Sequence, residues 1–245
     1  MGRKALVTIV RHGETDYNKA QIIQGHLDIP LNAQGEAQAA VTARWFREQG
    51  VQFDEAWSSD LSRARRTAGI ILEQQKEQLP LQQDERIRER HLGNLQGKRR
   101  GDPGTDPSTV EPIAKLRARL WSFWSDLFPS SPSSAPSTTP TPLRQILYVS
   151  HGAAIREFVR SIVEDRVDKG AEMWELALPK DEEEVLRSGS KRIDNCSRTV
   201  IELEEEEDGK GGTRWRARLL LYGDDSHFAE SSRAPSPTAN ADVVE

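Results

Sequence analysis

The sequence predicts an α/β fold, a three-layer sandwich with a mostly parallel central sheet flanked by helices on both faces. Three observations predict it. Residues 5–10 and 145–149 are nearly unbroken apolar, β-branched runs, as in strands buried on both faces of a parallel sheet. Between and after them, apolar residues recur at helical spacing. Both strand-like runs lead into His-Gly, at His12-Gly13 and at His151-Gly152, on the sheet edge where open α/β folds bind ligands.

The elements follow in order. Residues 35–49 are alanine-rich and stop before Gly50, a residue suited to the left-handed position after a helix. Residues 54–57 are strand-like. Ala64, Thr67, Ala68, Ile71 and Leu72 form one helical stripe. Pro112 opens a second, made of Ile113, Leu116, Leu120, Phe123 and Leu127 and widened by Trp121, Trp124 and Phe128. Ile155, Phe158, Val159, Ile162 and Val163 form a third. All three read as core packing. Residues 196–204 and 214–222 are strand-like and flank an acidic, glycine-containing stretch at 205–212. They predict a long-looped hairpin at a sheet edge with a solvated tip. Residues 129–142 are almost entirely Ser, Pro and Thr, and 229–245 are polar. These predict a loop and a disordered tail. The expected organisation is one catalytic domain over residues 1–228.

Composition narrows the function. The formal net charge is -5, so no global field draws the chain to nucleic acid or to an anionic membrane. No apolar run approaches the roughly 20 residues of a membrane span. Gly2 is followed by Leu6 where myristoylation expects Ser or Thr. A single cysteine, Cys196, fits a reducing compartment. These features predict a soluble cytoplasmic protein.

The residues after the strands suit phosphoryl transfer, which needs cations, hydrogen-bond donors and an in-line nucleophile. His12 is a candidate nucleophile, being neutral near physiological pH. Arg11 beside it is always charged and shaped for phosphate oxygens. His151 would donate from the second strand. Gly13 and Gly152 allow close approach, and Asn18 is a neutral donor just beyond. Arg63 falls in the first turn of the helix after residues 54–57, where the dipole assists anion binding. Arg65 and Arg66 read as solvated charges. Glu89, in a charged run over 85–93, is a candidate leaving-group acid that in isolation reads as surface.

Arg11-His-Gly-Glu-Thr15, Asn18, the loop Gln24-Gly-His-Leu-Asp-Ile-Pro-Leu31, Ser58-Ser-Asp-Leu-Ser-Arg63, Glu89-Arg-His91 and Ser150-His-Gly152 together resemble, in order, the motifs of the histidine phosphatase superfamily. More narrowly they resemble its phosphoglycerate-mutase-like branch. The likeness runs up to His227 and leaves out the Ser/Pro/Thr segment and the tail. It implies a phosphohistidine on His12 and a phosphate pocket of Arg11, Arg63 and His151, joined by Asn18. It also implies substrate contacts at Gln24, Gly25 and Gly152. It makes Glu89 the proton donor and later the base that activates water, with no metal and no cofactor.

Other phosphatase classes are excluded by spacing. Cysteine phosphatases need Arg six residues after Cys, and Glu202 stands there. No Asp-x-Asp follows a strand, and no His, Asp and Cys cluster has metal-ligand spacing. Gly93-Asn-Leu-Gln-Gly-Lys98 is one residue short of a P-loop, with Arg99 in place of Ser or Thr.

Three functions stand as alternatives. The first is a phosphatase acting on a small phosphate ester such as a sugar phosphate or bisphosphate. The second is a phosphoglycerate-type mutase. Mutases of this kind carry a long insertion after the Glu89 equivalent and Tyr where this chain has Leu92, and both departures favour the phosphatase. The third is an inactive scaffold, disfavoured because His12, Arg11, Arg63, Glu89 and His151 are all present. Lys98, Arg99 and Arg100 have two readings, a solvated basic loop or a site for a second phosphate or carboxylate. His26 and His91 read as rim or loop residues, and Trp174, Trp215 and Cys196 as packing.

Overall fold

The computed structural model describes residues 2–99, 101–103, 106–129, 143–169, 174–176, 186, 191–208 and 212–229. Arg100, the Ser/Pro/Thr segment beyond residue 129 and the tail beyond residue 229 lie outside the described residues, as does the Trp174 side chain.

The strands are β1 (Lys4–Arg11), β2 (Glu55–Ser58), β3 (Leu81–Gln83), β4 (Arg144–Ser150), β5 (Trp174–Leu176), β6 (Arg198–Glu207) and β7 (Thr213–Asp224). They form one sheet in the order β3-β2-β4-β1-β6-β7-β5. The pairs β1·β4, β2·β4, β2·β3 and β5·β7 are parallel; β1·β6 and β6·β7 are antiparallel. The mostly parallel sheet is therefore as expected. The expected hairpin forms too, but it is not the edge of the sheet. β6 lies beside β1, and β5 covers β7. β3 and β5 are three residues each, too short to show a period in the sequence.

The helices are α1 (Asp16–Ala20), α2 (Ala33–Glu48), α3 (Ser62–Leu72), α4 (Ile113–Leu127), α5 (Gly152–Lys169) and α6 (Ser226–Ala229). Alternate residues of the buried strands feed two cores. Ala5, Val7, Ile9, Ile146 and Tyr148 join Leu116, Leu120, Phe123, Ile155, Phe158 and Val159 of α4 and α5. Val10, Leu147 and Val149 join Ala39, Phe46, Ala64, Ala68 and Ile71 of α2 and α3. Both faces of the sheet are covered, and each fully buried Leu, Ile or Phe adds about 1.5–3 kcal/mol. Among the described residues, no helix is long and apolar enough to cross a membrane.

Two details depart from expectation. Pro112 is the N-cap of α4 and not its first turn. Glu205, at the hairpin's acidic stretch, is not simply solvated. Its carboxylate accepts from Arg3 Nε and Nη2, each at 2.7 Å, and that hydrogen bonding holds it down at about 2.

Candidate active site

Register places the two His-Gly turns side by side. β1 and β4 are parallel with Val10 opposite Val149 and Arg11 opposite Ser150. The next residue on each strand is a histidine. The backbone N–H of His12 donates to Ser150 O at 3.0 Å, and the two imidazole centroids lie 5.1 Å apart. β2 flanks β4 on the other side, with Ser58 opposite Val149. Its chain turns into α3 with Arg63 in the first turn. Three strand ends thus deliver Arg11 and His12, His151, and Arg63 to one crevice, and all four side chains are fully buried.

The His12 ring has a defined tautomer. Its Nδ1 lies 2.7 Å from Gly13 O. A carbonyl only accepts, so Nδ1 carries the proton and Nε2 carries the lone pair. Nε2 has no hydrogen-bond partner among the described residues, and neither ring nitrogen of His151 has one. Burial first, then the Arg63 guanidinium, keeps both imidazoles well below their usual range, with Arg11 adding to the effect.

The arginines are held by backbone carbonyls. Arg11 Nη1 donates to Ile193 O at 2.8 Å. Arg63 Nη1 and Nη2 donate to Leu27 O and Gly25 O at 2.7 and 2.8 Å. Arg63 therefore ties the 24–28 loop to the crevice. Gln24 is fully buried in that loop, with its Oε1 2.9 Å from Thr15 Oγ1. Gly25 has a left-handed φ of 51°, and a Cβ there would meet Gln96 Oε1 at 2.2 Å. Asn18 is a capping-box residue of α1. Its Oδ1 accepts from Thr15 N at 3.1 Å, and its buried Nδ2 has no partner among the described residues.

Glu89 is not a surface residue. It is fully buried, and its carboxylate accepts from Ala153 N at 3.0 Å, Ala154 N at 2.9 Å and Arg90 N at 2.9 Å. Ala153 and Ala154 open α5 just after His151 and Gly152, so the helix that follows the second His-Gly turn anchors the carboxylate. His26 is a second departure from a plain loop role. Its Nε2 donates to Glu89 O at 2.7 Å.

Gly13 is needed for a reason internal to the protein. A Cβ there would lie 2.4 Å from Gly35 O, at the start of α2. Asn195 is a residue that pattern reading does not pick out. Its Nδ2 donates to His12 O at 2.8 Å. Thr67, expected only as core packing, also accepts from Gly13 N at 3.0 Å through Oγ1. Leu92 turns into a small apolar cluster with Ile23 and Leu95. Lys98 is half-buried and Arg99 exposed.

The buried and half-buried histidines make stability pH-dependent. His26 and His227 are each lowered to about 4, chiefly by burial, and His12 and His151 are lowered too. The folded chain keeps these rings neutral where the unfolded chain protonates them. Below about pH 6.5 the unfolded state binds more protons, so stability is complete above that pH and falls with acid. Between pH 6.5 and 4.5 we expect His227 alone to remove about 2 kcal/mol from the unfolding free energy. His227→Gln should flatten that slope in denaturant titrations; an unchanged slope would reject this account.

The family model for the histidine phosphatase superfamily (branch 1) matches residues 7–180. The chain belongs to the histidine phosphatase superfamily. The chain is 40% identical to a broad-specificity phosphatase of Saccharomyces cerevisiae over 90 residues, 36% of this chain and 39% of that protein. It is 33% identical to the fructose-2,6-bisphosphatase TIGAR of Xenopus tropicalis, over 67% of this chain and 77% of that one. Among solved structures, a mycobacterial glucosyl-3-phosphoglycerate phosphatase superposes with a TM-score of 0.62 at 27% identity, covering 89% of this chain and 98% of the other.

Proposed function

We propose that this histidine phosphatase is a metal-independent phosphatase of small phosphorylated metabolites, such as sugar phosphates or bisphosphates. In this reading, it works through a phosphohistidine on His12. The observation that carries the proposal is the neutral His12 ring. Its protonated Nδ1 is tied to Gly13 O, and its Nε2, beside Arg11, Arg63 and His151, has no hydrogen-bond partner among the described residues.

The Nε2 lone pair attacks phosphorus as the ester P–O bond breaks. Arg11, Arg63, His151 and Asn18 donate to the phosphoryl oxygens, where negative charge is concentrated. In a buried site such donors act more strongly than in water. Glu89 gives its proton to the departing ester oxygen. Water then attacks the phosphohistidine, Glu89 takes the water's proton, and the N–P bond breaks to release inorganic phosphate and the free ring. Gln24, Gly25 and Gly152 border the substrate. The catalytic domain is residues 1–228, and the single cysteine and net charge of -5 suit a cytoplasmic enzyme without a nucleic-acid partner. Leu92, buried against Ile23 and Leu95, offers no hydroxyl to a sugar phosphate, which favours hydrolysis over mutase chemistry.

The test is hydrolysis of a generic aryl phosphate by purified protein in the presence of EDTA. Turnover undiminished by chelation is expected. Turnover that appears only on adding a divalent metal would reject the mechanism.

A further inference from the structure

Glu89 sits in a stretch without regular structure. The only ordered turn there is a single 3-10 turn at Glu85–Ile87, and β3 ends at Gln83. A pocket of ≈550 Å³ is bordered by both the 85–91 segment and residues 108–119, lined in part by His26, Arg88, His91, Glu111 and Arg119. A buried segment with neither strand nor helix pairing must satisfy its backbone carbonyls with other donors.

Those donors are side chains. Arg119, on α4, donates through Nη1 to Arg86 O and to Arg88 O, each at 2.7 Å. Its Nη2 donates to Glu89 O at 2.7 Å. Its Nε and Nη2 also donate to the two carboxylate oxygens of Glu111, each at 2.9 Å. These bonds use all five N–H groups of the guanidinium. Glu111 also accepts from His91 N at 3.1 Å. The remaining carbonyl of the stretch, Ile87 O, accepts from Ser150 Oγ at 2.8 Å. Every carbonyl from Arg86 to Glu89 is thus held by a side chain, and three of the four by Arg119. Both members of the Arg119–Glu111 pair are largely buried, at 17% and 7% side-chain exposure, so water screens their attraction weakly.

We propose that Arg119, seated by Glu111, is the positioning residue for the proton donor Glu89. This rests on the reading of Glu89 as the leaving-group acid. Arg119 does not touch the phosphate pocket residues by any of these bonds. It sets where the Glu89 backbone lies while α5 holds the carboxylate, and the two together fix the donor against the departing oxygen. A displacement of about 1 Å at such a group costs on the order of 10²-fold in rate.

The readout that separates positioning from general damage is the leaving group. An alkyl phosphate releases an alkoxide that must be protonated as it leaves, whereas a nitrophenyl phosphate releases a phenolate that leaves unaided. Arg119→Lys keeps the charge but loses the five-donor fork. We expect its kcat/KM to fall at least about tenfold for the alkyl phosphate and less than about threefold for the nitrophenyl ester. Glu111→Gln, which keeps Arg119 but weakens its seat, should show the same pattern, and it decides the matter if Arg119→Lys does not fold. Equal losses on both esters, or no loss on either, would overturn the proposal. Glu89→Gln is measured alongside. If it fails to discriminate the two esters, Glu89 is not the acid and both ideas fall. If it discriminates and the Arg119 and Glu111 variants do not, only the positioning role falls.

Discussion

His12→Ala should reduce turnover of any phosphate ester by about 10⁴-fold or more, because groups that act as a unit lose nearly everything with the nucleophile. The physical reason lies in one atom. With Nδ1 tied to Gly13 O, Nε2 of His12 is the ring atom that carries the lone pair. In the proposed mechanism, neither His151 nor a water admitted by the smaller side chain forms that N–P bond. The variant should fold, since these hydrogen bonds of the segment run through the His12 backbone: Ser150 O accepts from His12 N, and Asn195 Nδ2 donates to His12 O. Rapid quenching of wild type with labelled substrate should trap label on the protein. It should survive alkali and be lost in acid, as a phosphorus–nitrogen bond behaves. Label retained by His12→Ala, or stable to acid, would place the covalent step elsewhere.

Arg63→Lys should give the second-largest loss, about 10²- to 10³-fold in kcat/KM, with weaker inhibition by orthovanadate. Arg63 does two things at once. It places a permanent charge at the first turn of α3, beside both imidazoles, and it holds Gly25 O and Leu27 O. An ammonium keeps the charge but cannot span two carbonyls and a phosphoryl oxygen with a planar fork. The same change removes some of the field that lowers His12 and His151 only if the new ammonium sits farther away. A raised kinetic pKa on the acid side of kcat/KM would report that shift. Near-wild-type kcat/KM in Arg63→Lys would mean that the charge alone suffices and that the fork is dispensable.

Much of the site is legible along the chain because its parts are local. A buried strand followed at once by His-Gly puts an imidazole at the sheet edge whatever the rest of the fold does, and this holds for both His12 and His151. Arg63 is legible for the same reason, lying a few residues into a helix after a strand. Glu89 is different. Its surroundings are Arg86, Arg88, Arg90 and His91, a charged run that resembles exposed surface. It is buried because Ala153 and Ala154, far along the chain, present free N–H groups to its carboxylate. Family motifs, and not the run itself, point to it.

The sequence by itself determined the alternation of strand and helix, the apolar faces that form two cores, and the residue types that end each buried strand. Periodicity and composition suffice for these, because each depends on neighbours within a few residues. The tertiary structure decided the rest. The parallel register of β1 and β4 sets the two imidazoles 5.1 Å apart. The approach of α2 leaves no room for a Cβ at Gly13. The Arg3–Glu205 pair takes an acid of the hairpin out of water. The fork of Arg119 gathers three carbonyls of the Glu89 segment. Each of these is a contact between residues distant in the chain, and its energy depends on distances and burial that no local pattern encodes.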